Sequence, residues 1–242
     1  MIELSSLSKV FNDGRSNRFV AVDDVSLVIM PRQLTVLKGP SGSGKTTLLS
    51  IIGCMARPTS GRIYLRDIPA ALPYRRDDSE NVEITSLQER FLTEIRRRTF
   101  GFIFQQFNLI KGISVLENVM LPAYPTGEAR SAFRTRALDL LGQFGMERHA
   151  GQKVELLSGG ELQRTAIVRA LINDPAIIIA DEPTAHLDSK LSLEFMERVE
   201  QLKSNGTTVI IASHDPLVYD AASVDSLVEM RNGKVVGSRS RQ

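Results

Sequence analysis

The sequence predicts an α/β fold: a core of alternating strands and helices carries a small antiparallel β subdomain near its start and is interrupted by an inserted α-helical subdomain. Three observations predict it. An apolar run, Leu34 to Leu37, leads into the glycine-rich stretch Gly39, Pro40, Ser41, Gly42, Ser43, Gly44, Lys45, Thr46 and Thr47, and helix-forming residues follow to Ile52. A second apolar run, Ile177 to Ala180, ends in the paired carboxylates Asp181 and Glu182. Between Asn108 and Ser158 the apolar residues recur with helical period.

In chain order, residues 2 to 37 alternate apolar and polar. Ile2-Glu3-Leu4, Phe19 to Val22 and Val25 to Ile29 read as strands, and Asn12-Asp13-Gly14 reads as a turn. Phe11 stands just before that turn. Taken alone it reads more readily as core than as an exposed ring able to stack on a purine base.

The Gly39 to Thr47 stretch fits the pattern G-x-x-x-x-G-K-[ST] at each constrained position, with a strand before it and a helix after it. It is a P-loop. Its glycines let backbone N–H groups converge on phosphate oxygens, the helix N-terminus adds partial positive charge, Lys45 adds a full one, and Thr46 offers a hydroxyl to Mg²⁺. Nucleoside triphosphate binding follows.

Beyond it, Arg62 to Leu65 reads as one more strand of the antiparallel sheet. Residues 66 to 83, with Pro69, Pro73 and the charges Arg75, Arg76, Asp77 and Asp78, lack periodicity and read as an exposed loop. From Ser86 a helix is expected on Leu87, Phe91 and Ile95, closed by the solvated cations Arg96 to Arg98. Gly101 to Phe104 reads as a buried strand. Gln105 stands at its C-terminal end, the edge where parallel sheets bind ligands.

In the helical block, Ala129, Phe133, Ala137, Leu140, Leu141 and Phe144 mark a helix that Gly142 and Gly145 end. From Ile177 the α/β alternation resumes: strand Ile177 to Ala180, a helix on Leu191, Phe195, Val199 and Leu202, strand Val209 to Ala212, and a hairpin around Asn232-Gly233.

Composition narrows the function classes. With 42% hydrophobic and 24% charged residues the 242-residue chain can bury a sizeable core. A net charge of +2, from 30 basic and 28 acidic residues, gives no basic field for nucleic acid. Cys54 is the single cysteine, so neither an internal disulfide nor a thiolate metal site is expected, and a reducing, cytoplasmic setting fits. No run of about 18 apolar residues occurs, so a membrane role is expected to come through a partner.

Two carboxylates ending an apolar strand suit a P-loop enzyme, which needs one acid for Mg²⁺ and another for the attacking water. Asp181 takes the first part and Glu182, as general base, the second. Solvated acids at a strand end are the ordinary alternative, and the P-loop elsewhere in the chain tips the balance. Leu157, Ser158, Gly159, Gly160 and Glu161 precede a helical run beginning near Leu162, so backbone N–H groups face outward with Ser158 as an added donor. One nucleotide already has its cradle. A second anion site on the same chain suggests that two chains pair about a two-fold axis, each capping the other's nucleotide.

These residues carry a resemblance. Gly39 to Thr46, Gln105, Leu157 to Glu161, Ile177 to Glu182, Asp188 in Thr184 to Asp188, and His214 in Ser213-His214-Asp215 resemble, in order, the Walker A, Q-loop, signature, Walker B, D-loop and switch-histidine motifs of ATP-binding cassette (ABC) ATPases. Phe102 to Leu109, Val115 to Val119 and the signature ending in Glu161 look like the subgroup of lipoprotein release and macrolide-type efflux. Phe11 matches the adenine-stacking aromatic.

The resemblance implies a P-loop NTPase (RecA-like) core over residues 1–107 and 166–242, with a helical signature subdomain over 108–165. It implies ATP and Mg²⁺ as cofactors, with Thr46, Gln105 and Asp181 on the metal. Glu182, His214, Gln105 and Asp188 become the catalytic set, and Phe11, Gly39 to Thr47 and Ser158 to Glu161 the nucleotide contacts. The implied partners are a second copy, an integral-membrane permease on the cytoplasmic face of the inner membrane and, through it, a periplasmic adaptor. Export or lipoprotein extraction is the leading function. A soluble cassette ATPase acting on nucleic acid or ribosomes, a cell-division type mechanotransducer and a P-loop nucleotide kinase are the competing ones. Two departures stand out: the stretch 70–83 is long for the subgroup and reads as a solvated loop, and His186 occupies a position where a small or amide residue is common and reads as an interface spacer.

Overall fold

A computed structural model describes residues 1–66, 68, 81–185 and 187–240. The expectations for His186 and for residues 70–80 lie outside the described residues. Two sheets organise the chain. The larger has the order β10-β9-β3-β8-β7-β6, made of β3 (Leu34–Lys38), β6 (Phe100–Ile103), β7 (Ile177–Asp181), β8 (Thr208–Ser213), β9 (Ser226–Arg231) and β10 (Lys234–Ser240). From β6 to β9 neighbouring strands run parallel, and β10 returns antiparallel through the expected hairpin.

The central strands read as continuous apolar runs because both faces of this sheet are covered. Alternate residues divide between the faces: Leu37, Ile177, Ile179, Ile210 and Ala212 pack under α1 (Lys45–Ile52) and the second sheet. Val36, Ile178, Ala180, Val209 and Ile211 pack with Ile167, Phe195 and Val199 from α5 (Gly159–Leu171) and α6 (Ser189–Ser204).

The smaller, antiparallel sheet has the order β2-β1-β4-β5, from β1 (Ile2–Phe11), β2 (Phe19–Ile29), β4 (Ser60–Arg66) and β5 (Asn81–Glu83). The two segments expected over residues 19–29 form one strand, bent where Asp24 adopts φ 50°. Asn81–Glu83, expected as loop, pairs with Arg66–Tyr64 as an edge strand instead. α2 (Glu89–Thr99) starts later than Ser86 and buries Leu92 and Ile95, and Phe104 lies just outside β6.

The helical block contains α3 (Val115–Met120) and α4 (Arg130–Gln143), with 3₁₀ turns at Leu121–Thr126, Glu147–His149 and Val154–Leu156. Glu117 accepts from the backbone N–H and hydroxyl of Ser114 and so closes the start of α3. Phe133, Ala137 and Leu141 are the buried stripe of α4. Gly142 falls inside its last turn, and Gly145, at φ 65°, is the glycine beyond its end. α5 begins at Gly159, three residues before the expected start, and belongs to both cores: Val168 packs in the helical cluster, Ile167 and Ala170 under the large sheet. A short α7 (Pro216–Tyr219) follows β8.

Candidate active site

The C-terminal ends of β3, β8 and β7 are adjacent, and the groups singled out in the sequence meet there. Register sets the spacing: Lys38 pairs with Ser213, and Ala212 pairs with Asp181. Between β3 and α1 the chain turns through Gly44 at φ 100°. A Cβ at Gly44 would lie 2.2 Å from the Ala21 carbonyl oxygen, so no side chain fits there.

Lys45 is 5% exposed, and its Nζ donates to the carbonyl oxygens of Gly39 at 2.7 Å and Pro40 at 3.1 Å. Glu182 Oε1 lies 3.5 Å from the same nitrogen. Glu182 holds φ 45° while its N–H donates to Ala212 at 2.9 Å, so the strained residue is pinned to β8. Its Oε2 faces His214 Nδ1 at 3.0 Å and the His214 backbone N–H at 3.4 Å. Thr46 Oγ1 donates to Asp181 Oδ1 at 3.1 Å. Burial pushes the Asp181 carboxyl above its ordinary value, more than the Thr46 hydroxyl pulls it down. A hydroxyl and a carboxylate in contact are hard oxygen donors that fit Mg²⁺. Among the described residues no cluster of three acids, cysteines or histidines is present.

The remaining predicted residues sit around this cluster. On the loop Ser43 is buried and Pro40, Ser41 and Gly42 are exposed at the tip, while Thr47, in the first turn of α1, is half-buried. Gln105 is exposed one strand beyond β7, and among the described residues no side-chain bond joins it to Thr46 or Asp181. Asp188 caps α6, accepting from the Leu191 N–H at 2.9 Å. Phe11 is 42% exposed at the end of β1, opposite Phe19, with Lys9 Nζ 5.1 Å from its ring centre.

The Leu157 to Glu161 segment is separate. Ser158 and Gly159 are exposed, and Ser158 donates from its N–H (2.8 Å) and its hydroxyl (2.7 Å) to Glu161 Oε2. Those donors hold the Glu161 carboxyl below its usual value. His149 Nε2 lies 3.3 Å from Glu161 Oε1. Gly160 is buried, and a Cβ there would come within 2.8 Å of Leu191 Cδ2, at the start of α6.

Three connections escaped the sequence reading. Gln163 Nε2 donates to the Pro183 carbonyl at 3.3 Å, tying α5 to the turn after Glu182. Thr184 Oγ1 donates to Asp215 Oδ2 at 2.9 Å, joining that turn to the residue after His214. Arg169 Nη1 and Nη2 donate to the Asn108 and Phe107 carbonyls. The available signal was polarity in a buried run: Gln163 and Arg169 are polar among the apolar residues of α5. A groove of about 500 Å³ between sheet and helical block, lined by Phe102, Phe104, Asn108, Ile110, Pro122 and Arg169 among others, completes the surroundings.

The ABC transporter family profile matches residues 22–185. The chain is 39% identical over 236 residues to the macrolide export ATP-binding/permease protein MacB of Hyphomonas neptunium, covering 98% of this chain and 34% of that protein. It is 40% identical over 238 residues to MacB of Rhodopseudomonas palustris, again covering 98% and 34%. The chain thus spans about a third of the length of the curated relatives it matches. Among solved structures it is similar to a dimeric bacterial ABC transporter cassette, with a TM-score of 0.84, 37% identity, and coverage of 100% of this chain and 99% of that one. A dimeric post-hydrolysis cassette bound to ADP and Pi matches with a TM-score of 0.84, 36% identity and the same coverage.

Proposed function

The chain belongs to the ABC transporter family, and we propose that two copies of it close over two ATP molecules and hydrolyse them to drive an integral-membrane permease. It is an ABC ATPase cassette that binds ATP. The observation that carries the fuller reading is the division of phosphate-binding groups. Lys45, Glu182 and His214 form one bonded set with the Thr46–Asp181 pair beside it, while Ser158 and Gly159 stand exposed at the surface, Ser158 bonded to Glu161.

In this reading Lys45 leaves the carbonyls of Gly39 and Pro40 for the phosphates, and backbone N–H groups of the Gly39 to Thr47 stretch, Pro40 having none, cradle them. Thr46, Asp181 and Gln105 hold Mg²⁺, which neutralises charge on the transferring phosphoryl group when bound. Glu182 accepts the proton of the attacking water, and His214, already on its other oxygen, orients it. Phe11 stacks on adenine. Ser158, Gly159, Gly160 and Glu161 of the second copy cover the phosphates, with Asp188 beside them at the seam.

The groove of about 500 Å³ beside Phe104 and Arg169 receives a helix of the permease. The cassette division, core 1–107 and 166–242 with a helical lobe 108–165, is supported by the separate apolar cluster around Phe133 and Leu141. Similarity to export proteins supports efflux or extraction. In this reading the chain works on the cytoplasmic face of the inner membrane, with a periplasmic adaptor engaged through the permease. Among the described residues no helix is long and apolar enough to cross a membrane.

Glu182→Gln tests the reading. Turnover should fall by about 10² or more while an ATP-bound dimer accumulates on size-exclusion chromatography. Turnover at the wild-type rate would overturn the role given to Glu182.

A further inference from the structure

We propose that Arg169 is a positioning residue for hydrolysis: from the last turn of α5 it fixes the backbone that follows Gln105 and so sets where Gln105 stands. The proposal rests on the reading above, in which Gln105 serves the metal and the attacking water.

Arg169 is 9% exposed, inside the buried run Thr165 to Ala170. A guanidinium there needs compensation, because a buried charge is costly unless paired or fully hydrogen-bonded. Among the described residues no carboxylate pairs with it, and burial alone pulls its pKa down. The compensation is backbone: Nη1 donates to Asn108 O and Nη2 to Phe107 O, both at 2.6 Å, the short distances of charge-assisted bonds.

The acceptors explain why the charge is there. Phe107 and Asn108 are consecutive residues at φ 58° and 50°, a left-handed pair that side chains other than glycine rarely adopt unless held. Within the segment itself, Phe107 N–H bonds Phe104 O at 2.9 Å and Asn108 N–H bonds Gln106 O at 2.6 Å, folding Gln105 and Gln106 into a tight turn. The planar fork of arginine serves the two carbonyls from two separate nitrogens held in one plane, a fixed geometry that a single ammonium nitrogen does not reproduce. Arg169 thus closes the turn that presents Gln105, and it does so from the helix that Ser158 begins.

A plain packing role would make Arg169 matter for folding alone, and a double-mutant cycle on the purified full chain separates the two. Arg169→Met keeps the stem and removes the fork. Gln105→Ala and Arg169→Met should each lower kcat by about tenfold, with the ATP Kd measured without Mg²⁺ changed less than about threefold. The double variant should lose no more than about the larger single loss, because both changes act through one side chain. Multiplying losses would overturn the proposal and leave the role of Gln105 standing. An unchanged kcat in Gln105→Ala would overturn the underlying reading instead. If Arg169→Met does not melt cooperatively, Arg169→Lys enters the same cycle, with a loss of about threefold expected and again absent on the Gln105→Ala background. Full wild-type kcat in Arg169→Lys, or a loss that persists on that background, would overturn the proposal.

Discussion

Two regions of this molecule are suited to phosphate, and they are built in opposite ways. The Lys45 cluster hangs from three adjacent strand ends of a sheet covered on both faces, so strand register fixes its distances and each charged group has a partner in place. The Leu157 to Glu161 segment is a helix start at the surface, closed on itself by Glu161, with Ser158 and Gly159 open to solvent. The first presents its charged groups already fixed around one point; the second keeps its Ser158 donors on Glu161 at the open surface. A rigid half-site and an exposed cap on one chain make sense if the cap serves another copy.

The comparison breaks most sharply at Lys45. Lys45→Met removes a full charge and two or more charge-assisted bonds to phosphate, about 3 kcal/mol, and should weaken ATP binding about 100-fold in a fluorescent-nucleotide titration. A change of a few-fold would mean that the cluster is not the cradle. Ser158→Asp should act differently. Aspartate is a good helix cap, so the helix start is kept, at the cost of the hydroxyl bond to Glu161, while a negative charge replaces the hydroxyl donor. Single-chain ATP affinity should stay within about threefold of wild type while turnover drops about 100-fold. Mixing the two variants sharpens the test, since a mixed pair contains one site with an intact Lys45 and an intact Ser158. Turnover should recover to roughly a quarter of wild type if copies exchange at random and each site works alone. No recovery would leave the cap without its partner.

The same contrast explains what the sequence could disclose. The sheet strands were legible because burial on both faces imposes unbroken apolar runs such as Ile177 to Ala180. The edge strand Asn81–Glu83 was not, because three residues in a polar stretch become a strand only through pairing with β4. The start of α5 was placed late because Gly159 and Gly160 are poor helix formers; the Ser158 and Glu161 spacing, a capping signal in plain view, prevails over them. The P-loop and the paired carboxylates Asp181 and Glu182 were legible because each stands at the end of an apolar strand, whereas the part of His214 came only through the resemblance to ABC ATPases. Gln163 and Arg169 show in the sequence only as polar residues in a buried run; what they bond cannot be read there, because the acceptors are backbone carbonyls of Phe107, Asn108 and Pro183, which leave no mark on side-chain pattern.

The smallest effect is expected at Glu161, and it asks how self-contained the cap is. The Ser158 donors hold its carboxyl below the ordinary glutamate value of about 4.3. The folded state therefore takes up its proton at lower pH than the unfolded chain. Stability from the ionised group is fully present above about 4.3 and is lost as pH falls through the lower folded value. Glu161→Gln keeps one acceptor for Ser158 but lacks the charge, which favours the first turn of α5 through the helix dipole and lies beside His149. At pH 7 the variant should be less stable by about 0.5 kcal/mol, and denaturation curves of the two proteins should converge as the pH drops below 4. A gap that stays constant into acid would separate the effect from the charge. A gap of several kcal/mol at pH 7 would mean that Glu161 anchors a built site, and the cap would then be as self-sufficient as the cluster around Lys45.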